Sequence, residues 1–388
     1  MSGVFADVQA LVEELGRTVV SEYASDVDEK ARFPSEAFEA FKANKLLSAY
    51  VPEKFGGHGL SISELCKLCE ILGAYCASTA MIYAMHQIQV ACLVHHGQTS
   101  SWFQQYLRDL VEKQFLLASA TTELGVGGDL RSSVCAIEKN GDSFVLNKQA
   151  PVISYALDAD AILVTCRAHA DAPASDQVHV LVKKEDCSFA EIAGWDTLGF
   201  RGTCSSGYEL KSKGHCDQII PAPFVDILAQ TMHPVSHLTW GSLWTGLASD
   251  SVHRARQAVR HAHKRNPNAP PVSSLRLSEV DEQLFSMRSG LYREIEEYKT
   301  LLAEGNPDAF SNFGFSIRTN NVKLRCSEML VDIVGRALMI VGIMGYKNDS
   351  PLSLGRHIRD AYGAAIMVNN DRIRGHNATM QIAMRERS

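Results

Sequence analysis

The spacing of apolar residues changes period twice along this chain, and that double switch rules out most architectures. From about residue 5 to 115 the period is helical: LVEELGRTVVSEYA (11–24) and PSEAFEAFKANKLLSAY (34–50) carry apolar residues three and four apart, which gives a helix one buried face. The long stretch that follows Ser61 and Ser63, through LCEILGAYCASTAMIYAMHQIQVACLV, is apolar on most sides, as in a helix enclosed by other helices. From about 116 the period falls to two. SSVCAIEKNGDSFVLN (132–147) reads as two strands around an Asn140-Gly141 turn, and AILVTCRA (161–168) and QVHVLVKK (177–184) as further strands. GWDTLGFRGTCSSGYELKS (194–212) continues in that style, so the block reads as a small antiparallel sheet closed into a barrel. After Pro221 and Pro223 helical spacing returns, broken at NPNAPPVSS (266–274), whose prolines cannot sit inside a helix. The order is α+β, mainly α, in three parts: 1–116, 117–222 and 223–388. No G-x-G-x-x-G follows a strand, which excludes a Rossmann unit, and neither a P-loop nor a G-x-S-x-G occurs.

Composition narrows the function classes. Lys+Arg 38 against Asp+Glu 44 gives a net charge of −6 with no basic block, which argues against a nucleic-acid surface. The apolar run ALMIVGIMGY (337–346) is about half of what a membrane-spanning helix needs. The first residues, MSGVFADVQALVEELG, do not read as a signal peptide. Ten cysteines without framework spacing fit buried thiols in a reducing compartment. The expectation is a cytoplasmic protein that uses neither membrane nor nucleic acid.

Most individual motifs have plain structural readings. The loop SATTELGVGGDLRSS (119–133) exposes backbone N–H groups at Gly125, Gly127 and Gly128 that can hold a phosphate or a ring oxygen, yet alone it reads as an ordinary glycine-rich loop. Cys66 and Cys69 form C-x-x-C without a second pair at zinc spacing and read as core. His95-His96 and His261/His263 read as packed or helix-surface histidines; no metal site is expected. The Trp and Met residues near 240–244 and 339–344 fall at helical spacing and read as core.

Taken together the segments resemble the acyl-CoA dehydrogenase superfamily across nearly the whole chain. VPEKFGGHGLS (51–61) looks like that family's first glycine signature. TTELGVGGDL (121–130) resembles T-E-P-G-A-G-S-D, with Leu124 for Pro and Gly128 for Ser. LNKQAPVIS (146–154) resembles L-N-G-x-K-x-W-I-T, with Val152 for Trp. GWDTLGFRGTCSS (194–206) is similar to W-x-T-L-G-x-R-G-T-x-S, and VGIMGYKNDSPLSLGRHIRDA (341–361) to G-G-x-G-Y…R-x-x-R-D-A. The resemblance implies an N-terminal helical domain, a middle antiparallel β-barrel and a C-terminal four-helix bundle, assembled as a homodimer or homotetramer. It implies FAD, met by Thr121, Thr122, Gly127 and Gly128, with Ser154 near the reactive nitrogen and Asn370 also at the flavin. Arg265 stands where the family reaches a partner subunit's FAD, though the Phe-Gly that follows there is replaced by Asn268-Ala269.

The family's catalytic base is a Glu nine residues after the Arg of R-D-A, and counting from Arg359 reaches Val368. The alternative family position, on the first helix of the bundle, is Thr239. Three readings stay open. Dehydrogenation of an acyl thioester on CoA or an acyl carrier protein persists with a displaced base: Asp371, three residues past Val368 on one helix face, or His237. The substrate eases its own proton loss. Or the reduced flavin meets oxygen and the enzyme is a monooxygenase, with Asn369 and Asn370 as polar groups near the ring. A scaffold subunit without catalysis is the non-enzymatic alternative.

Overall fold

The computed structural model describes residues 3–127, 129–268 and 271–384. Six helices come first: α1 (Gly3–Leu15), α2 (Ser21–Glu29), α3 (Ser35–Ala43), α4 (Ile62–Tyr75), α5 (Ala77–His96) and α6 (Ser101–Lys113). The helix expected over 34–50 is shorter, because Lys45 turns left-handed at φ 56°. α4 starts at Ser61, whose hydroxyl accepts from Glu64 N–H while the Glu64 carboxylate accepts the Ser61 N–H, a reciprocal cap. α5 is apolar and long enough to cross a membrane, but it runs through the protein core with 94% of its apolar window buried.

Seven strands follow: β1 (Leu117–Ala120), β2 (Glu138–Asn140), β3 (Ser143–Ala150), β4 (Ala161–Arg167), β5 (Gln177–Lys183), β6 (Cys187–Ala193) and β7 (Gly207–His215). They do not close into the expected barrel. They form two sheets, ordered β1-β4-β5 and β2-β3-β7-β6, and β1 pairs with β4 in parallel. The cause is visible in β1, four residues whose apolar content did not stand out from the preceding helix. It adds a parallel edge that covers β4, whose residues 161–166 are all buried, as an apolar run flanked on both sides must be. β3 alternates exposed and buried along its whole length, the mark of a sheet with one wet face.

The chain then returns to helix: α7 (Phe224–Ile227), a π-turn at Leu228–Met232, α8 (His233–Arg265), α9 (Ser273–Glu304), α10 (Phe313–Val341), α11 (Ile343–Tyr346), α12 (Gly355–Ile366) and α13 (Asn370–Ala383). α4 lies tightly along α8. A Cβ on Gly73 would stand 2.1 Å from the Leu243 carbonyl oxygen, and one on Gly246 would stand 1.9 Å from that of Glu70. Only glycine permits this crossing, and it joins the first helical block to the last. Of the expected core residues Trp244 is fully buried, but Met339 and Met344 are 70% and 44% exposed. Cys66 and Cys69 are buried free thiols.

Candidate active site

A cavity of about 760 Å³ opens where α5, the loop after β1, the 195–205 loop, the start of α8 and the α12–α13 turn converge. Thr121, Thr122 and Gly127 line one side, with Val152 and Ser154 beside them. Thr122 Oγ1 donates to the Val152 carbonyl at 3.0 Å, which ties these two segments together. Gly128 lies outside the described residues.

The loop carrying Thr121–Gly127 is closed by Glu123. Its carboxylate accepts from Ser133 Oγ (2.6 Å), Val134 N (3.1 Å) and Cys135 N (2.5 Å). Lys148, fully buried, stands 3.5 Å from it and donates to Thr165 O at 2.5 Å. The Glu of the T-E-L-G motif therefore shapes the loop and does not enter the cavity.

Ser154 belongs to a chain of hydroxyls. Its Oγ is 2.8 Å from Ser205 Oγ, which is 2.7 Å from Thr203 Oγ1, which reaches the Phe200 carbonyl at 2.9 Å. All three hydroxyl residues line the cavity. Thr203 and Ser205 sit in the R-G-T-C-S segment, whose resemblance was noted without assigning either a role.

Arg359 and Asp360 act as bolts. Arg359 pairs with Asp28 on α2 and donates to Leu198 O at 3.0 Å, while Asp360 accepts the Phe200 N–H at 2.6 Å. Burial pushes the Asp360 carboxyl up to about 6.

The α12–α13 turn differs most from expectation. The sequence reading puts Val368 and Asp371 on one helix, but Val368 (φ 61°) and Asn369 (φ 49°) are both left-handed and split it. For a β-branched residue this conformation is an outlier, of the kind that persists where surrounding structure imposes it. Here Lys323, itself buried, donates to Met367 O and to Asn370 Oδ1, both at 2.5 Å. Burial pushes its amine down to about 8. Val368 and Asn369 line the cavity. Asp371 does not: beyond the break its side chain is 94% exposed and pairs with Arg374 at 3.5 Å. Asn370 is not a lining residue either, its amide being spent on Lys323, Ser327 and Glu328. Thr239 is fully buried and donates to Val235 O within its own helix.

Among the described residues lining the cavity there is no Asp or Glu. The bases present are His233 and His237, one helical turn apart, with ring centroids 4.4 Å apart. His237 Nδ1 lies 3.3 Å from the Thr319 carbonyl oxygen. A carbonyl only accepts, so Nδ1 carries the proton and Nε2 the lone pair. Burial holds this imidazole well below its ordinary range, hence neutral at physiological pH. His233 meets Asn320 Oδ1 at 2.8 Å and is pushed down to about 4. Trp240, read from sequence as core, lines the cavity instead.

The cavity suits a flavin. Its walls are largely apolar, its rim holds hydroxyls, and two wall side chains, Gln89 Oε1 and Trp240 Nε1, have buried polar atoms without a protein partner. A flat ring needs apolar faces and a few placed polar groups. Arg265 cannot reach it within the chain. Trp240 and Arg265 are 25 residues apart on α8, about 37 Å at the helical rise.

Residues 6–114 match the acyl-CoA dehydrogenase N-terminal domain and 235–374 the acyl-CoA dehydrogenase C-terminal domain. The chain is 25% identical over 360 residues to the "Probable acyl-CoA dehydrogenase fadE25" of Mycobacterium leprae, covering 92% of this chain and 89% of the relative. Its fold is that of butyryl-CoA dehydrogenase from Megasphaera elsdenii, at TM-score 0.84 and 18% identity over 98% of this chain and 99% of the other. The FMN-bound TdsC of Paenibacillus sp. A11-2, called a dibenzothiophene monooxygenase, shares the fold at TM-score 0.83 and 16% identity over 97% of each chain. With both terminal domains matched and the cavity suited to a flavin, the chain belongs to the acyl-CoA dehydrogenase superfamily and is a flavin-dependent oxidoreductase.

Proposed function

We propose that the protein uses FAD to oxidise an acyl thioester, carried by CoA or by an acyl carrier protein, and that His237 accepts the α-proton. The observation that carries this reading is the carboxylate-free cavity in which the His237 tautomer is fixed by a backbone carbonyl. Bound flavin supplies the two-electron acceptor for the β-hydride. Neutral Nε2 has the lone pair that proton abstraction requires. Burial lowers the basicity of this imidazole, which works against abstraction, so the reading rests on its position and tautomer and not on its base strength. Ser154 and Thr121 provide hydroxyls toward the cofactor.

An extended dinucleotide shared with a second copy accounts for Arg265, which stands exposed at the far end of α8. Exposed Phe285, Met339, Ile343 and Tyr346 are apolar side chains that a homodimer or homotetramer would cover. Ten unpaired thiols favour the cytoplasm.

The test is oxygen-free mixing of FAD-loaded protein with a panel of acyl-CoA thioesters. Flavin bleaching is expected with at least one, and His237→Gln should slow it by about 10²–10⁴ with flavin still bound. Unchanged bleaching in that variant removes His237 from the role. A second reading, flavin monooxygenase, is favoured by the same lack of a carboxylate at the cavity wall. It predicts no bleaching without oxygen by any thioester.

A further inference from the structure

The three-hydroxyl chain behind Ser154 has more contacts than protons once a ligand is present. Ser154, Ser205 and Thr203 own one hydroxyl proton each. Their contacts are Ser154–Ser205, Ser205–Thr203 and Thr203–Phe200 O, and a ligand acceptor facing Ser154 makes a fourth. With protons running outward, Thr203 donates to the Phe200 carbonyl, Ser205 to Thr203 and Ser154 to Ser205. Ser154 then offers the cavity only a lone pair. With protons running inward, Thr203 donates to Ser205, Ser205 to Ser154, and Ser154 into the cavity.

Inward order strands no carbonyl, because Phe200 O also accepts the Trp195 indole N–H at 3.1 Å. Thr203 and Ser205 are each 3% exposed, so the links of the chain are made within the cavity wall. The two backbone segments cannot slide apart: Tyr155 N donates to Thr203 O and Ile153 N to Ser206 O, both at 2.9 Å. Phe200 is itself anchored by its N–H to Asp360.

We propose that Ser205, backed by Thr203, is a positioning residue whose hydroxyl sets the direction of the Ser154 proton, turning Ser154 into a donor when negative charge builds up in the cavity. This rests on the reading that Ser154 faces the flavin. Reversal of the chain costs no net hydrogen bond, because the bond given up at Phe200 is replaced by the new one to the ligand. A donor presented this way, strengthened by the hydrogen bond it accepts from Ser205, stabilises charge gained on reduction, so losing Ser205 weakens that donor and makes the bound flavin harder to reduce.

The experiment measures the midpoint potential of bound FAD against a redox dye, with no substrate, in wild type, Ser154→Ala, Ser205→Ala, Ser205→Thr and the Ser154→Ala/Ser205→Ala double variant. Ser205→Ala should lower the reduced-to-oxidised ratio at fixed poise about tenfold, about 30 mV for a two-electron couple. Ser205→Thr should restore it, and Ser205→Ala should add nothing once Ser154 is Ala. An unchanged potential in Ser205→Ala, or an equal shift in both backgrounds, overturns the proposal. A silent Ser154→Ala overturns it together with the placement of Ser154 at the flavin, whereas a shifted Ser154→Ala with a silent Ser205→Ala removes the relay alone. If Ser205→Ala does not hold FAD, Thr203→Val carries the same expectation and the same refutation.

Discussion

Replacing Glu123 by Gln should loosen the loop that lines the flavin side of the cavity. The carboxylate accepts two backbone N–H groups and one hydroxyl, and it is the counter-ion of Lys148, which is 0% exposed. Gln keeps one accepting oxygen and turns an NH₂ toward backbone N–H groups, which cannot accept from it. It also leaves the ammonium without its counter-ion, bonded only to the Thr165 carbonyl. Breaking a buried pair on one side costs about 3–5 kcal/mol. The ammonium keeps its bond to the Thr165 carbonyl, which places the expected cost at the lower end of that range, about 3 kcal/mol. If ordering the 123–135 loop is coupled to cofactor binding, flavin affinity falls by about 10²-fold, since about 1.4 kcal/mol is tenfold. The assay is flavin content and thermal midpoint of the purified variant, beside Glu123→Gln/Lys148→Met. The double variant should recover part of the loss, because removing both partners costs less than removing one. A Glu123→Gln protein with full flavin content and an unchanged midpoint would refute the reasoning.

Val368→Glu puts a carboxylate into the cavity wall without adding backbone strain, because Glu lacks the β-branch that makes a left-handed φ costly. Oxygen-free flavin bleaching by butyryl-CoA should rise about tenfold or more, and no change would show that the side chain at 368 does not reach the reacting carbon. Acid should weaken the fold through its buried histidines. His86 accepts the Leu117 N–H on Nδ1 and is pushed down to about 4, as is His95, so the unfolded chain takes up protons first, from 6.5 downward. Stability is full above that value and falls by about 1.4 kcal/mol per pH unit per histidine toward 4. The urea midpoint should therefore drop between pH ~7 and pH ~5, and drop less in His86→Gln. Gly246→Ala drives a Cβ to 1.9 Å from the Glu70 carbonyl; the cost should lie at the top of the about 1–3 kcal/mol overpacking range, read as a lowered thermal midpoint.

Periodicity was enough to read most elements, because α4, α5 and α8–α10 and strands β3 to β5 each bury a face or a whole segment. It failed where tertiary structure decides. β1 is four residues long and owes its parallel pairing to β4, a partner over forty positions away. The break at Val368–Asn369 has no Gly or Pro to announce it; Lys323, far away on α10, holds the turn through the Met367 carbonyl and Asn370 Oδ1. That break is why Asp371, in register with Val368 on an uninterrupted helix, faces solvent. Motif resemblance placed Thr121, Thr122, Gly127 and Ser154 beside one cavity. It was silent on Ser205 and Thr203, whose hydroxyls matter only once two distant segments are side by side. No period announces the pair, because Arg201–Thr203 is a 3₁₀ turn and Cys204 is left-handed at φ 47°.

The account stands on electrons leaving an acyl thioester for a flavin in this cavity, and the mass of the acyl product tests that directly. After a single oxygen-free turnover by FAD-loaded protein, the product should be lighter than the substrate by two hydrogens. A product formed only when oxygen is admitted, and carrying an atom of it from ¹⁸O₂, would contradict the dehydrogenase and establish the oxygenase in its place.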